Sequence, residues 1–383
     1  MDSGQWRDEF PVKDELIYFN HAAVCPLPRR TAAAICRIAE EYRDLGSWDY
    51  VHTLEVVRRG RERLADMIAA RPHEVAYVKN TTSGLLLAAE SIPWRDGDNV
   101  VVAEIEFPAN VYPWLNLRRR NVEVRIVNPR NRLLHLDDYR AACDARTRAI
   151  AVSQVQYSTG QRMNLPALAQ MAREHSAYLV VDAIQGLGAL RTEVGEIGAD
   201  ILAADGHKWL LSAEGCGLLY VSDRIIGDLE DHWRGWMSVP EPLDFARCDQ
   251  PARPDAGRFE EGTPNVPGAA ALDASAGLLL EVGLSEVEQR VLGLTDRLIE
   301  GLQRIDCSIA SPLEPAARSG IVCFEHPRLD ADEAVELLQR HCVAAASRLG
   351  LVRLSPHFYN DEDEVDRALE ALQAGSCRSN QQD

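Results

Sequence analysis

Lys208 is the first residue of this chain whose type suggests chemistry, because it supplies a primary amine where the sequence otherwise uses arginine. Lysine occurs only as Lys13, Lys79 and Lys208. A guanidinium stays protonated at any accessible pH, whereas a desolvated amine can lose its proton and add to an aldehyde as a Schiff base. On this feature alone, a surface lysine in a loop explains Lys208 equally well.

Asp182 ends the strongest apolar run of the chain, 178–182, and Gln185 follows three residues later. In a doubly wound sheet, functional groups collect at the carboxyl ends of strands. A carboxylate there can pair with a protonated ring nitrogen, although an Asp that caps the following loop is the simpler explanation.

Thr81 and Thr82 belong to a hydroxyl-rich segment, 80–84, which follows an apolar run at 74–78 and opens a helical pattern. Hydroxyls and free backbone amides at a helix N-terminus form a phosphate site. Helix caps are rich in Ser and Thr for other reasons, so this segment is weak evidence by itself.

The elements that would position these groups alternate between apolar strands and helical patterns, which predicts an α/β fold with a mostly parallel sheet. The strand candidates are 99–103, 122–127, 149–152 and 178–182. From residue 284 onward, helix and strand patterns alternate in a way typical of a small α+β domain. We therefore expect an N-terminal segment (1–28) that joins the small domain, a large domain (29–283) and a small C-terminal domain (284–383).

The composition narrows the functional classes. A formal net charge of −18 disfavours nucleic acid and anionic membrane surfaces as partners. No apolar run reaches membrane-spanning length and the first residues lack a signal-peptide pattern, so we expect a cytoplasmic protein. The nine cysteines are scattered without Cys-x-x-Cys pairs, which predicts neither a metal site nor a disulfide framework.

The order and spacing of four motifs resemble the class V aminotransferases, which include cysteine desulfurases and isopenicillin N epimerase-like enzymes. The motifs are Asp182-x-x-Gln185, Gly206-His207-Lys208, the segment 259–265 and the segment 352–360. The resemblance covers nearly the whole chain. It implies the fold type I of pyridoxal 5′-phosphate (PLP) enzymes, with a mostly parallel seven-stranded sheet in the large domain and a small C-terminal α+β domain.

The resemblance implies a set of cofactor contacts. Lys208 would hold PLP as an internal aldimine and later move a proton at the substrate Cα. Asp182 would pair with the pyridine nitrogen, Gln185 would contact the phenolic oxygen, and Phe107 would cover the ring. The phosphate would be bound by Thr81, Thr82 and His207, and by Thr263 of a neighbouring subunit, which implies a homodimer with shared active sites.

It also implies a site for a small amino acid substrate. Arg353 would bind the substrate carboxylate, a role that suits a bidentate guanidinium. Asn20 and His21 are expected on the substrate side, together with Tyr157 or its neighbour Gln156. Trp233 and Trp236 could line the same side or pack in the core, and Arg348 has a solvated or structural alternative.

Three departures separate this chain from cysteine desulfurases. Phe107 stands where those enzymes stack a His, and a phenyl ring cannot move protons. They carry a persulfide-forming Cys in a loop before the carboxylate-binding Arg, whereas the segment 343–352 here contains none. Cys342 ends a helical pattern and is expected to be a buried thiol. Asp205 replaces a phosphate-binding hydroxyl, so it must turn away or be neutralised.

These features favour β-elimination at an amino acid, in the manner of a C–S lyase without a persulfide cysteine. Transamination and Cα epimerisation are the alternatives, since all three reactions use Lys208. A non-catalytic protein of the same fold would bind PLP without reacting with amino acids. A nicotinamide-binding fold is disfavoured because no Gly-x-Gly-x-x-Gly follows the first strand.

Overall fold

The computed structural model describes residues 3–377. Within that range the chain forms thirteen strands and eleven α-helices, with short 3-10 turns between them. The strands are β1 Ile17–Tyr18, β2 Val75–Val78, β3 Asn99–Ala103, β4 Glu123–Val127, β5 Thr147–Ser153, β6 Tyr178–Asp182, β7 Ile201–Asp205, β8 Gly217–Val221, β9 Ser308–Ile309, β10 Val322–Glu325, β11 Val343–Ala344, β12 Ala346–Arg348 and β13 Leu351–Leu354. The helices are α1 Arg29–Leu45, α2 Tyr50–Met67, α3 Thr81–Ser91, α4 Tyr112–Asn116, α5 Leu136–Ala142, α6 Leu165–Glu174, α7 Val194–Ile197, α8 Val266–Val282, α9 Leu284–Arg304, α10 Ala331–Arg340 and α11 Glu362–Cys377.

The large sheet has seven strands in the order β2-β8-β7-β6-β5-β3-β4. Strand β8 runs antiparallel to both of its neighbours, and the remaining pairs are parallel. This confirms the predicted α/β fold with a mostly parallel sheet. Because β8 is the only reversed strand, the carboxyl ends of β2, β3, β5, β6 and β7 all meet at one edge.

The central strands are buried on both faces. Along β3, Val101 packs into one apolar cluster while Val100 and Val102 pack into the cluster on the opposite face. Such strands read as continuous apolar runs rather than alternating ones. The runs at 99–103 and 178–182 therefore predicted strands correctly.

The C-terminal region builds a second sheet of four strands in the order β12-β13-β10-β9, packed against α9, α10 and α11. The N-terminal segment meets this region, because β1 pairs in parallel with β11. Where the chain divides into domains stays a prediction.

In the described part of the chain, no single helix has the length and apolar composition needed to cross a membrane. Helices α8 and α9 meet the length and composition criteria only as a pair, and that pair is bent by 80°.

Candidate active site

The carboxyl edge of the large sheet opens into a cavity of about 490 Å³. Asp182 ends β6, Asp205 ends β7, and Thr81 begins the helix that follows β2. All three line the cavity. The topology thus brings together residues that are more than a hundred positions apart in the sequence.

Lys208 lies in the loop after β7 and reaches this cavity with only 9% of its surface exposed. Its Nζ has no hydrogen-bond partner among the described residues and lies 5.6 Å from the centre of the Phe107 ring. Burial lowers the pKa of the amine to about 8; Asp182 and Asp205 oppose this effect, while Arg353 and Arg348 add to it. An amine with such a pKa is substantially neutral near pH 8 and can act as a nucleophile or a base.

Asp182 is fully buried and faces the same space. Burial raises the pKa of its carboxyl to about 7, with Glu106 contributing in the same direction and the Ile184 amide and Lys208 opposing. Its Oδ1 accepts a hydrogen bond from the Ile184 amide at 3.0 Å. A second cation placed beside this carboxylate would be attracted to it, so the site suits a positively charged ring nitrogen.

One end of the cavity is built to receive an anion. Asn80 caps α3 by accepting from the Ser83 amide at 2.9 Å, and Thr81 and Thr82 in the first turn of that helix line the cavity. Oγ1 of Thr81 is buried and has no hydrogen-bond partner among the described residues. A buried hydroxyl without a partner is costly unless a ligand satisfies it.

His207 lines the same end of the cavity and lies beside Asp205. Its Nδ1 is 3.0 Å from Oδ2 of Asp205, within ion-pair distance but not aligned for a hydrogen bond. Oδ1 of Asp205 accepts the Gly206 amide at 2.7 Å. One carboxylate oxygen is therefore bound within its own loop, and the other lies close to an imidazole.

Phe107 and Tyr157 form an aromatic wall. Their rings meet edge to face at 5.2 Å and 81°, and Phe107 is 46% exposed. The choice left open by the sequence falls to Tyr157, which lines the cavity. The Gln156 amide instead donates to buried Glu106 at 2.8 Å.

Gln185 also lines the cavity, but most of its amide is already engaged. Its Oε1 accepts from the Trp209 indole at 3.0 Å, and its Nε2 donates to the Ala22 carbonyl at 3.0 Å. One N–H of the amide is left for a ligand.

Arg353 enters the cavity from β13 and is 1% exposed. One of its terminal nitrogen atoms donates to the Tyr157 carbonyl at 3.0 Å, and burial lowers the pKa of the guanidinium to about 10. No carboxylate within the described residues pairs with it. A buried guanidinium with unused donors is a natural site for a carboxylate ligand.

Two predicted substrate residues do not line this cavity. His21 is fully buried, with Nδ1 bonded to the Ser355 carbonyl and Nε2 to the Tyr359 hydroxyl, both at 2.9 Å. Asn20 forms a backbone bridge with Ser355. Both residues therefore support the cavity from behind, joining the N-terminal segment to the strand that carries Arg353.

Thr263 does not line this cavity. It lines a separate cavity of about 640 Å³ together with Trp233. Trp233 and Trp236 are both exposed, at 52% and 43%, so neither packs in the core.

Cys342 was expected to be buried, and this expectation is wrong. It follows α10 with φ of 58°, a left-handed conformation that terminates helices, and its side chain is exposed.

Sequence reasoning overlooked Glu106. This carboxylate is fully buried beyond β3 and accepts hydrogen bonds from the Ser153 amide at 2.8 Å, the Asn110 amide group at 3.1 Å, the Gln156 amide group and the Ser153 hydroxyl. Burial raises the pKa of Glu106. Its signal was an acid set between Ile105 and Phe107 just after a fully buried strand.

Comparison with known proteins identifies the class to which this fold and site belong. The profile described as aminotransferase class-V matches residues 17–368, so the chain belongs to that family. It is 28% identical over 389 residues to a probable cysteine desulfurase of Methanothermobacter thermautotrophicus, covering 96% of each chain. It is 29% identical over 339 residues to a kynureninase of Deinococcus radiodurans, covering 84% of this chain and 80% of that one. The apo structure of a cysteine desulfurase from Thermococcus onnurineus NA1 superimposes with a TM-score of 0.88 at 25% identity, covering 97% of each chain.

The protein is therefore a PLP-dependent enzyme of fold type I, and the residues of the cavity fit the cofactor. Lys208 offers an amine for the aldehyde and Asp182 a carboxylate for the ring nitrogen. Thr81 offers a buried hydroxyl that a phosphate oxygen would satisfy. When bound, PLP withdraws electrons from the Cα of an attached amino acid.

Proposed function

We propose that this enzyme catalyses β-elimination at an amino acid with a sulfur leaving group, without a persulfide cysteine. Lys208 takes the proton from Cα, the Cβ–S bond breaks, and the thiol leaves with its electron pair and a proton. Hydrolysis of the remaining aminoacrylate gives pyruvate and ammonia. Arg353 holds the substrate carboxylate, while Asp182, Gln185, Phe107, Thr81, Thr82 and His207 hold the cofactor.

The observation that carries this proposal is the connection between β12 and β13. Only Leu349 and Gly350 join these strands, with φ of 50° and 78°. Because Arg348 pairs with Leu351, the turn between the strands has only two residues. Positive φ at both residues is typical of such tight hairpin turns. The strand pairing therefore leaves no room for a cysteine-bearing loop in front of Arg353.

The cysteines of the described chain support the same reading. None of them lines the cavity. Burial raises the pKa of Cys25, Cys216, Cys307 and Cys323 to about 12, so these thiols stay protonated and poorly nucleophilic. Cys342 is exposed and lies at the end of α10, one strand before the hairpin.

The family alone does not fix the substrate, since relatives at nearly equal identity carry the names cysteine desulfurase and kynureninase. The experiment is to supply the PLP-loaded enzyme with cysteine, cystine and S-substituted cysteines and to measure pyruvate, ammonia and sulfane sulfur. We expect equal amounts of pyruvate and ammonia without any added keto acid. The Cys342→Ser and Cys323→Ser variants should keep the wild-type rate.

Other outcomes would replace the proposal. Amine transfer that depends on a keto acid would make the enzyme an aminotransferase, and loss of optical activity without product release would make it an epimerase. Alanine and enzyme-bound persulfide as products, abolished by Cys342→Ser, would show a desulfurase.

We further propose a homodimer in which Thr263 serves the partner's phosphate site. The support is that Thr263 lies outside the Lys208 cavity of its own subunit. Mixing Lys208→Ala and Thr263→Ala subunits tests this arrangement: hybrid dimers should regain one intact site, and a monomer in sedimentation would contradict it. The cytoplasmic location stays a prediction.

A further inference from the structure

Arg348 supplies the second guanidinium of the Lys208 cavity, and it is not among the residues proposed to hold the cofactor. It lies at the end of β12 and lines the cavity with Arg353. Its NH1 donates to the carbonyl of the adjacent Ser347 at 2.7 Å. Across residues 3–377, no carboxylate forms an ion pair with it.

The strand register places the two arginines on the same face of the β12–β13 hairpin. Arg348 pairs with Leu351, and Arg353 is two residues further along the same strand. Directly paired residues share a face of a hairpin, and so do residues two apart on one strand, which makes Arg348 and Arg353 diagonal neighbours on one face. Ala346, the residue paired with Arg353, lies on the same face and carries only a methyl group.

This pairing of like charges has an electrostatic cost. Arg348 lowers the pKa of Arg353 and of Lys208, so its charge is felt at both groups. Two carboxylates of the cavity face other groups, since Asp182 interacts with Lys208, and Asp205 accepts from the Gly206 amide and lies beside His207. Glu214 belongs to the loop before β8 and forms no ion pair with either arginine in the described structure.

One substrate carboxylate satisfies one of these guanidinium groups. With Arg353 at the α-carboxylate, Arg348 lies further along the same face of the hairpin and lines the same cavity. We propose that Arg348 binds a second anionic group on the substrate side chain, so the preferred substrates are amino acids with a distal carboxylate. The inference rests on the proposed function only in taking an amino acid as the substrate.

The test compares two ligands of equal shape that differ in charge: S-carboxymethylcysteine and its neutral amide, S-carbamoylmethylcysteine. Their dissociation constants are measured from the absorption change of the PLP-loaded enzyme, and kcat/KM from product release. We expect the wild type to bind the carboxylate about 10-fold to 100-fold more tightly, the gain of a charge-assisted hydrogen bond. Arg348→Gln should remove this preference while binding of the amide changes less than about twofold, and Arg348→Lys should restore part of it.

Arg304→Gln is the matched control, since it removes an exposed arginine on α9 that pairs with Glu300. It should leave both ligands unaffected. Equal weakening of both ligands by Arg348→Gln would overturn the inference, because Arg348 would then serve the α-carboxylate or the cofactor. Equal binding of both ligands by the wild type would also overturn it. If no amino acid alters the spectrum, the proposed function fails, and the inference falls with it.

Discussion

The side chains of Lys13 and Lys208 are both buried, but they have opposite surroundings. Nζ of Lys13 donates to the Tyr359 carbonyl at 3.1 Å and to carboxylates of Asp361 and Glu364 at 2.9 Å each. Nζ of Lys208 has no hydrogen-bond partner within residues 3–377. The first amine has an acceptor for each of its three protons, whereas the second has none.

The difference shows how one residue type serves structure in one place and chemistry in another. A buried ammonium is stable when acceptors and opposite charges replace its lost hydration. At Lys13 the compensation is complete, and the contact ties the N-terminal segment to the start of α11. At Lys208 the compensation is partial, so burial lowers the pKa of the amine to about 8. An incompletely satisfied amine can exchange its proton and bind a carbonyl.

The largest expected effect comes from removing the uncompensated amine. Lys208→Ala should lower kcat/KM for any amino acid substrate by about 10⁴-fold, because the group that moves the Cα proton is lost. Its free energy of unfolding should stay the same or rise, since a poorly solvated amine is removed. Steady-state kinetics and urea unfolding measure the two quantities.

Lys79→Ala is the control for this prediction, because Lys79 is exposed. It should change neither quantity. A Lys208→Ala enzyme that keeps more than a tenth of the wild-type rate would show that another group moves the proton.

Lys13→Ala should lower the free energy of unfolding and leave the catalytic rate unchanged, the reverse of Lys208→Ala. Removing one partner from a buried ion pair costs about 3 kcal/mol or more. The cost should lie near that lower limit, because Glu364 still accepts from the Asn360 side chain at 3.0 Å and from the Asp361 amide at 2.9 Å. Urea unfolding checks the stability, and the rate per folded molecule should remain at the wild-type value.

The double variant Lys13→Met, Glu364→Gln sharpens this prediction, since it removes both buried charges together. It should recover part of the lost stability. If Lys13→Ala lowers the free energy of unfolding by less than about 0.5 kcal/mol, the Lys13–Glu364 pair contributes no more than an exposed ion pair, and the prediction is wrong.

The sequence predicted the central strands β3, β5 and β6 because they contain continuous apolar runs, a local signal. It predicted the position of Asp182 for a related reason, since a polar residue at the end of such a run falls at the carboxyl edge. His21 could not be placed in this way. Its role depends on Tyr359 and Ser355, which are more than three hundred positions away.

The position of Arg348 next to Arg353 could not be predicted from the local sequence either. Its relation to Arg353 depends on a two-residue turn and on strand register, and a shift of one residue would send the side chain to the other face. The sequence shows which residues make up the segment 343–352, but it does not show the register in which its strands pair. Cys342 was misplaced because a single left-handed residue decides which way it points.

The smallest predicted effect concerns pH and compares the lysines within one molecule. Acetylation requires the neutral amine, so its rate rises as the pH rises through the pKa. Because burial lowers the pKa of Lys208 to about 8, its labelling by acetic anhydride in the cofactor-free protein should be half-maximal near pH 8. Peptide mass spectrometry measures the acetylated fraction of Lys208 and of exposed Lys79 in the same sample.

Asp182→Asn should shift the Lys208 labelling curve to lower pH, because the carboxylate raises the pKa of that amine. A Lys208 curve that coincides with an ordinary lysine near pH 10.5 would mean that the amine is solvated or paired, and the contrast with Lys13 would then disappear.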